Sequence, residues 1–134
     1  MVKKGKQELF SSREEGLKPL LAAIQALGEE MKGARVIDKV VGGAAAKLLV
    51  YAGVGEVIAA VASRPAVETL RAASIPVEAV HTVELIRGRS GGPCPFEVLA
   101  GEIEDPAVFF RELSRRLGKG GVPTGKERKK PSGR

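Results

Sequence analysis

The residues with the clearest chemical potential lie in the stretch DKVVGGAAAKLLVYAG, where a β-branched run meets an Ala-rich helix. Asp38 and Lys39 form an acid–base pair, and Gly42 and Gly43 follow immediately before the helix. Glycines at the start of a helix leave backbone N–H groups open to an anion. The pattern therefore predicts a site for a small nucleotide-like or phosphorylated ligand. The alternative is structural: the glycines let the helix pack closely on a sheet, and Asp38 caps the helix.

The segment SGGPCPFE is the second candidate site. Cys94 stands where a helix begins, and a thiol at a helix N-terminus is more readily ionised and more nucleophilic. Arg87 and Arg89 lie just upstream and would orient an anionic substrate, while Glu97 or His81 would accept the proton. This arrangement predicts, as an alternative function, an enzyme that depends on Cys94.

The same segment also has a structural interpretation. Cys94 at the N-cap, Pro95 at the first helical position and Glu97 at the third match a capping box in which a thiol replaces the usual hydroxyl. His81 alternates with apolar residues of a strand and is predicted to face the core. Neither G-x-G-x-x-G nor G-x-x-x-x-G-K-[ST] occurs in the chain, so no phosphate loop is predicted.

The elements that must position these residues alternate between strand and helix. Apolar periodicity predicts strands with continuous apolar runs, which are typical of a sheet covered on both faces, and helices that pack on them. Such alternation indicates an α/β domain with a largely parallel sheet, in which ligands bind at the carboxyl ends of the strands. The predicted strands are MVK, QELFSS, ARVID, EVIAAVA and PVEAVHTVELI; the predicted helices are Leu17–Leu27, Val41–Ala52, Pro65–Ala73 and two that begin at CPFE and at Asp105-Pro106.

The positive charge of the chain is concentrated at its end. The net charge is +6, but six basic residues and one acidic residue fall between Gly118 and Arg134, which leaves +1 for the rest. Gly, Lys, Pro and Ser dominate this segment, so a disordered basic tail is predicted at 118–134. Its KERKK run would contact nucleic acid weakly and without sequence preference. A non-catalytic module that binds RNA or another partner is therefore a further alternative.

Several motifs together resemble one family. The segments SSREEGLKPLL, DKVVGGAAAKLLVYAGV and GGPCPFE resemble the uncharacterised domain of unknown function 1893 family, and the order of elements resembles the cytidine-deaminase-like superfamily. Zinc deaminases carry Pro-Cys-x-x-Cys at the start of the Ala-rich helix, where this chain has Val41, Gly42 and Ala45. Because neither glycine nor alanine has a ligating side chain, the chain lacks the zinc ligands. The comparison argues against a zinc-dependent deaminase, and we expect no cofactor.

The resemblance implies a fold and an assembly. The fold would be a three-layer α/β/α domain at residues 1–117, with a mostly parallel or mixed sheet of about five strands and helices on both faces. The family has an additional N-terminal helix and a longer first strand, so the N-terminal edge of this domain would be truncated. Ser12 and Arg13 would join the ligand site from the neighbouring strand end, and the chain would form a homo-oligomer.

Cysteine content and apolar runs give expectations about location. One Cys excludes an intramolecular disulfide, the N-terminus MVKKGKQELF has no apolar signal core, and the longest apolar stretch is too short and broken to span a bilayer. We therefore expect a soluble cytoplasmic protein without membrane contact.

Overall fold

The computed structural model describes residues 1–11, 17–84 and 95–121. Strands and helices alternate through most of this length. The strands are β1 (Val2–Lys4), β2 (Gln7–Phe10), β3 (Arg35–Val41), β4 (Glu56–Ser63) and β5 (Val77–Val83). The helices are α1 (Leu17–Leu27), α2 (Gly43–Ala52), α3 (Arg64–Ala72), α4 (Pro95–Glu102) and α5 (Pro106–Gly121), with a 3-10 turn at Gly28–Met31.

The five strands form one mixed sheet in the order β2-β1-β3-β4-β5. Strand β1 runs antiparallel to both β2 and β3, whereas β3, β4 and β5 are parallel. The predicted strands MVK and QELFSS are found as β1 and β2, which pair antiparallel, and the α/β class is confirmed. The architecture agrees with a three-layer α/β/α fold. Because β3, β4 and β5 are parallel, their carboxyl ends lie at the same end of the sheet, where helices α2 and α3 begin.

Helix α2 is the centre of the core. It contacts α1, α3, α4 and α5, and Ala44, Ala46 and Leu48 are fully buried. Small alanine side chains let the surrounding helices approach closely, which explains why the helix is apolar on nearly every side. It begins at Gly43, two residues later than predicted, and ends as predicted at Gly53, whose φ of 76° is left-handed.

The sheet is less covered than its apolar sequence predicts. Ala60 of β4 is exposed, and Val80 of β5 is 76% exposed. The prediction of a core histidine is wrong, because His81 is exposed. Its place in the strand pattern was correct, but within the described residues β5 is the last strand of the sheet and has a neighbouring strand on one side only. Alternation predicts which side chains share a face, but not whether anything packs on that face.

Helices α3 and α5 begin at side chains that cap them. Ser63 Oγ accepts a hydrogen bond of 3.2 Å from the N–H of Ala66, and Asp105 Oδ1 accepts one of 2.9 Å from Ala107. Each cap satisfies a backbone donor that the first helical turn leaves unpaired. On α5, Phe109 and Leu113 face the core, since both are 0% exposed.

The last described element is the C-terminal helix. Helix α5 continues to Gly121 and so includes the first four residues of the predicted tail. The remainder of that tail lies outside the described residues. Within the described part of the chain, no helix is both long enough and apolar enough to cross a membrane.

Candidate functional site

The starts of α2, α3 and α4 meet at the carboxyl ends of the parallel strands. A Cβ atom built on Gly43 of α2 would lie 3.6 Å from Pro65 in α3 and 3.2 Å from Glu97 in α4. Two of these helices follow directly from β3 and β4. The predicted ligand joint is thus a meeting point of three helix starts.

Glu97 caps α2 from a position 54 residues further along the chain. Its Oε1 accepts a hydrogen bond of 2.8 Å from the N–H of Gly43, and its Oε2 accepts one of 3.1 Å from Ala44. The carboxylate is half-buried. It supplies negative charge at the positive end of the helix dipole and satisfies two N–H groups of the first turn. The helix start that was predicted to bind an anion therefore already holds one from its own chain.

This contact requires glycine at position 42. The residue is the N-cap of α2 and adopts an extended conformation that any residue can take. However, a Cβ atom there would lie 2.7 Å from Glu97 Oε2, closer than real contacts allow. The reason for Gly42 is therefore steric. It leaves room for the carboxylate, and any larger side chain would displace it.

Lys47 makes the reciprocal contact from α2 to the other end of α4. Its Nζ donates to the carbonyl oxygens of Ala100 and Ile103, which lie where α4 ends and lack partners within that helix. Burial lowers the pKa of Lys47, while the nearby charge of Glu104 acts in the opposite direction. Helix α4 is therefore fastened to α2 at both ends by charged groups.

Asp38 does not cap α2, the structural role that its position before the helix had predicted. Its Oδ1 accepts a hydrogen bond of 2.8 Å from the N–H of Lys39. Asp38 is half-buried and Lys39 is exposed, and both have further interactions. These two residues lie in the strand β3 that leads to the joint, so the predicted acid–base pair is close to it in sequence and in the fold.

An ion pair joins the start of α3 to Glu84, which directly follows β5, at the carboxyl ends of the strands. Arg64 Nη2 lies 2.6 Å from Glu84 Oε2, and the pairing raises the pKa of Arg64 mainly through this hydrogen bond. Both side chains are largely exposed, so the pair adds little stability. It does place one more cation and one more carboxylate near the carboxyl ends of the strands.

The structure brings together one residue of the predicted Cys94 site and two residues of the predicted ligand site. Glu97, a predicted proton acceptor for Cys94, accepts a hydrogen bond from Gly43 and packs against Gly42, both residues of the predicted ligand site. His81 aligns with Val61 of β4, and β4 separates its strand from β3 by about 10 Å. Of the other predicted residues, Ser12, Arg13, Arg87, Arg89 and Cys94 lie outside the described residues, so both sites stay predictions.

Sequence reasoning missed the role of Glu97 although it singled out the residue. The signal was the Glu at the third position of a helix, which predicts a capping box within α4. Instead, both carboxylate oxygens bond to α2. The geometry thus keeps the chemical role of the carboxylate, which caps a helix, but assigns it to a different helix. Among described residues, no cluster of three or more His, Cys, Asp or Glu could hold a metal ion.

Comparisons with known proteins agree with the fold and identify the family. No curated protein matches the chain. The crystal structure of a DUF1893 family protein, TM1506 from Thermotoga maritima, is similar with a TM-score of 0.75 and 29% sequence identity, over 84% of this chain and 76% of that chain. The family model described as domain of unknown function (DUF1893) matches residues 1–117. Because this match spans most of the chain and includes every strand of the sheet, the chain belongs to the DUF1893 family.

Proposed function

We propose that this chain is a metal-free, cytidine-deaminase-like domain that binds a small nucleotide-like ligand at the carboxyl ends of β3 and β4. The observation that carries the proposal is the carboxylate of Glu97, fixed on the start of α2 by Gly43 and Ala44. The carboxylate lies at the start of α2, here called the corner (residues 42–45). In the resemblance to zinc deaminases, Gly42 and Ala45 of this corner correspond to the cysteine ligands.

The corner does not suit a zinc ion. Gly42 and Ala45 offer no ligating atoms, and a side chain at position 42 would collide with Glu97. A catalytic zinc site needs three protein ligands and an open position for water. A carboxylate that already accepts two backbone hydrogen bonds fills this corner instead, which favours binding over metal-assisted hydrolysis.

The chemistry of Glu97 favours a ligand that donates hydrogen bonds. An ionised carboxylate has about four acceptor positions, and the contacts to α2 use one on each oxygen. The remaining positions suit adjacent amino and ring N–H groups, such as those on the edge of a nucleobase. A phosphate at the same amides would be repelled by the carboxylate. The proposal therefore retains the nucleotide-like ligand but assigns recognition to Glu97 rather than to bare backbone amides.

The proposal is tested by calorimetric titration of the full chain with the four ribonucleosides, their 5′-monophosphates, inorganic phosphate and zinc chloride. At least one nucleoside should bind, and its monophosphate should bind with similar affinity. The variant Glu97→Gln should lose this binding, because an amide in place of one oxygen cannot accept the same hydrogen bonds. Glu102→Gln, an exposed carboxylate of the same helix, is the matched control and should bind as the wild type does.

Loss of binding is informative only if the variants fold. Circular dichroism and urea unfolding of both variants separate a lost contact from a lost structure. Absence of binding by every nucleoside would overturn the proposal, as would equal binding by Glu97→Gln. Stoichiometric zinc binding would overturn the metal-free part, and tight binding of inorganic phosphate would move recognition back to the backbone.

A further inference from the structure

Strand β5 is an outer strand of the sheet and differs from the strand at the opposite edge. It contains seven residues, Val77–Val83, and lies at one end of the strand order. At the other end, β2 contains four residues, and its register with β1 is irregular. Short or irregular strands protect a sheet edge from pairing with another chain. Among the described residues, the edge at β2 has this protection and the edge at β5 does not.

No feature of β5 blocks a further strand. Its seven residues include no Pro, Lys or Arg, and its register with β4 is constant from Val77 to Val83, so no bulge twists it away. Val80, at the centre, is 76% exposed. A long, regular edge strand with an exposed apolar residue at its centre is a template for pairing.

A groove of about 510 Å³ follows this edge. On the side of α3 it is lined by Val67 and Arg71. Val77 and Ala79 of one face of β5 and Glu78, Val80 and Thr82 of the other also line it, together with Ile58 and Ala59 of the adjacent strand β4. The groove therefore lies between α3 and the β5 end of the sheet. This leaves open space beside α3 next to the outermost described strand.

The sequence of β5 is complementary to itself in one antiparallel register. A two-fold axis at Val80 places Val80 opposite its copy and Ala79 opposite His81. It also pairs Glu78 with Thr82, so the only charged side chain within the strand faces a hydroxyl and not a second carboxylate. Like charges directly opposite each other would destabilise such a pair, whereas apolar and hydroxyl partners stabilise it.

From these features we infer that β5 pairs with β5 of a second copy of this chain, antiparallel and with the two-fold axis at Val80. The same surface is used by both copies, as in most homodimers. The two five-stranded sheets then join into one continuous sheet, and each copy covers the exposed Val80 of the other.

Sedimentation analysis of the full chain tests the assembly. The wild type should be a dimer. Val80→Lys, which places two positive charges opposite each other at the axis, should lose the dimer and remain folded, because the side chain is exposed. Val98→Lys is the matched control, since Val98 is also apolar and 50% exposed but lies on α4. It should remain dimeric.

Disulfide trapping tests the register independently of stability. In a Cys94→Ser background, Val80→Cys should form an intermolecular disulfide on mild oxidation, because the two copies of this residue face each other. Thr82→Cys, on the same face of the strand, should not, because its partner is Glu78. A monomeric wild type, a dimer insensitive to Val80→Lys, or equal cross-linking at both positions would overturn the inference. A monomer that instead captures an extended peptide of another protein along β5 would also overturn it.

Discussion

At the scale of single residues, the cap that Glu97 forms on α2 depends on Gly42, because only a residue without a Cβ atom leaves room for the carboxylate. Replacing Glu97 by Ala removes two hydrogen bonds and the favourable charge at the start of α2. We expect a loss of about 1–2 kcal/mol in the free energy of unfolding, as for other N-terminal caps. Gly42→Ala introduces a Cβ atom 2.7 Å from Glu97 Oε2; because the flexible carboxylate can move away, the expected cost is at most about 1–2 kcal/mol, the contribution of the displaced cap. Urea unfolding measures both changes.

The double variant tests whether the two costs have one cause. If Gly42→Ala acts by displacing the carboxylate, its cost should fall to less than half when Glu97 is already Ala, and the pair should be strongly non-additive. Gly101→Ala is the control, because a Cβ atom there meets nothing within 4 Å. Gly101 lies in the last turn of α4, so the substitution should stabilise by no more than about 1 kcal/mol. Additive costs at positions 42 and 97 would contradict this account.

The pair also shows what residue types alone predict. Two glycines before an apolar helix predicted close packing on a sheet, whereas Gly42 makes room for Glu97; Glu at the third position of α4 predicted a cap of α4, whereas the carboxylate caps α2. Both signals are local. Their connection depends on α4 lying beside the start of α2, which is a contact across 54 residues that periodicity and capping rules do not contain. The chemistry was therefore predictable, and the partner was not.

At the scale of elements, α4 is a short helix held by charges at both ends. Lys47 donates to the carbonyls of Ala100 and Ile103, and Glu97 bonds to α2 at the opposite end. We expect Lys47→Met to retain the packing of the aliphatic stem but to leave these carbonyls without their partner. Amide exchange in the peptide 98–105 should become roughly tenfold faster, since a hydrogen bond to a charged group contributes about 1.5–3 kcal/mol.

Hydrogen exchange measured by mass spectrometry checks this prediction peptide by peptide. Lys18→Met serves as control, because Lys18 is an exposed lysine on α1 and its loss should leave α4 unchanged. Uniformly faster exchange across β3 and β4 would show general destabilisation and would contradict a local role of Lys47 at α4.

The elements themselves were largely predictable because each has a strong local signal. The repeat of Leu and Ile in α1 and the start of α5 at Asp105-Pro106 were both found in the structure. The exposure of His81 was not predicted, because strand alternation indicates which face a side chain is on but not whether another element packs on that face. Whether a face is buried depends on the layer that packs against it, and that layer comes from other parts of the chain.

At the scale of the whole molecule, charge divides the chain into a nearly neutral body and a basic end. Removing residues 122–134 takes away five of the basic residues and one Glu, but none of the elements that build the sheet. We expect unchanged thermal stability of the domain. We also expect loss of the weak, salt-dependent binding of single-stranded RNA predicted for the full chain. With five phosphate contacts, the logarithm of the affinity should fall with the logarithm of the salt concentration with a slope of about −3.5.

Fluorescence anisotropy with a labelled oligoribonucleotide at several salt concentrations measures this slope. The matched control retains the length of the chain and replaces the five basic residues of 122–134 by Gln. If charge alone causes the binding, this variant and the deletion should behave alike, both with a slope near zero. A full slope that survives in either variant would place the RNA contact on the folded domain, and the nearly neutral body would then need a local basic surface that its net charge conceals.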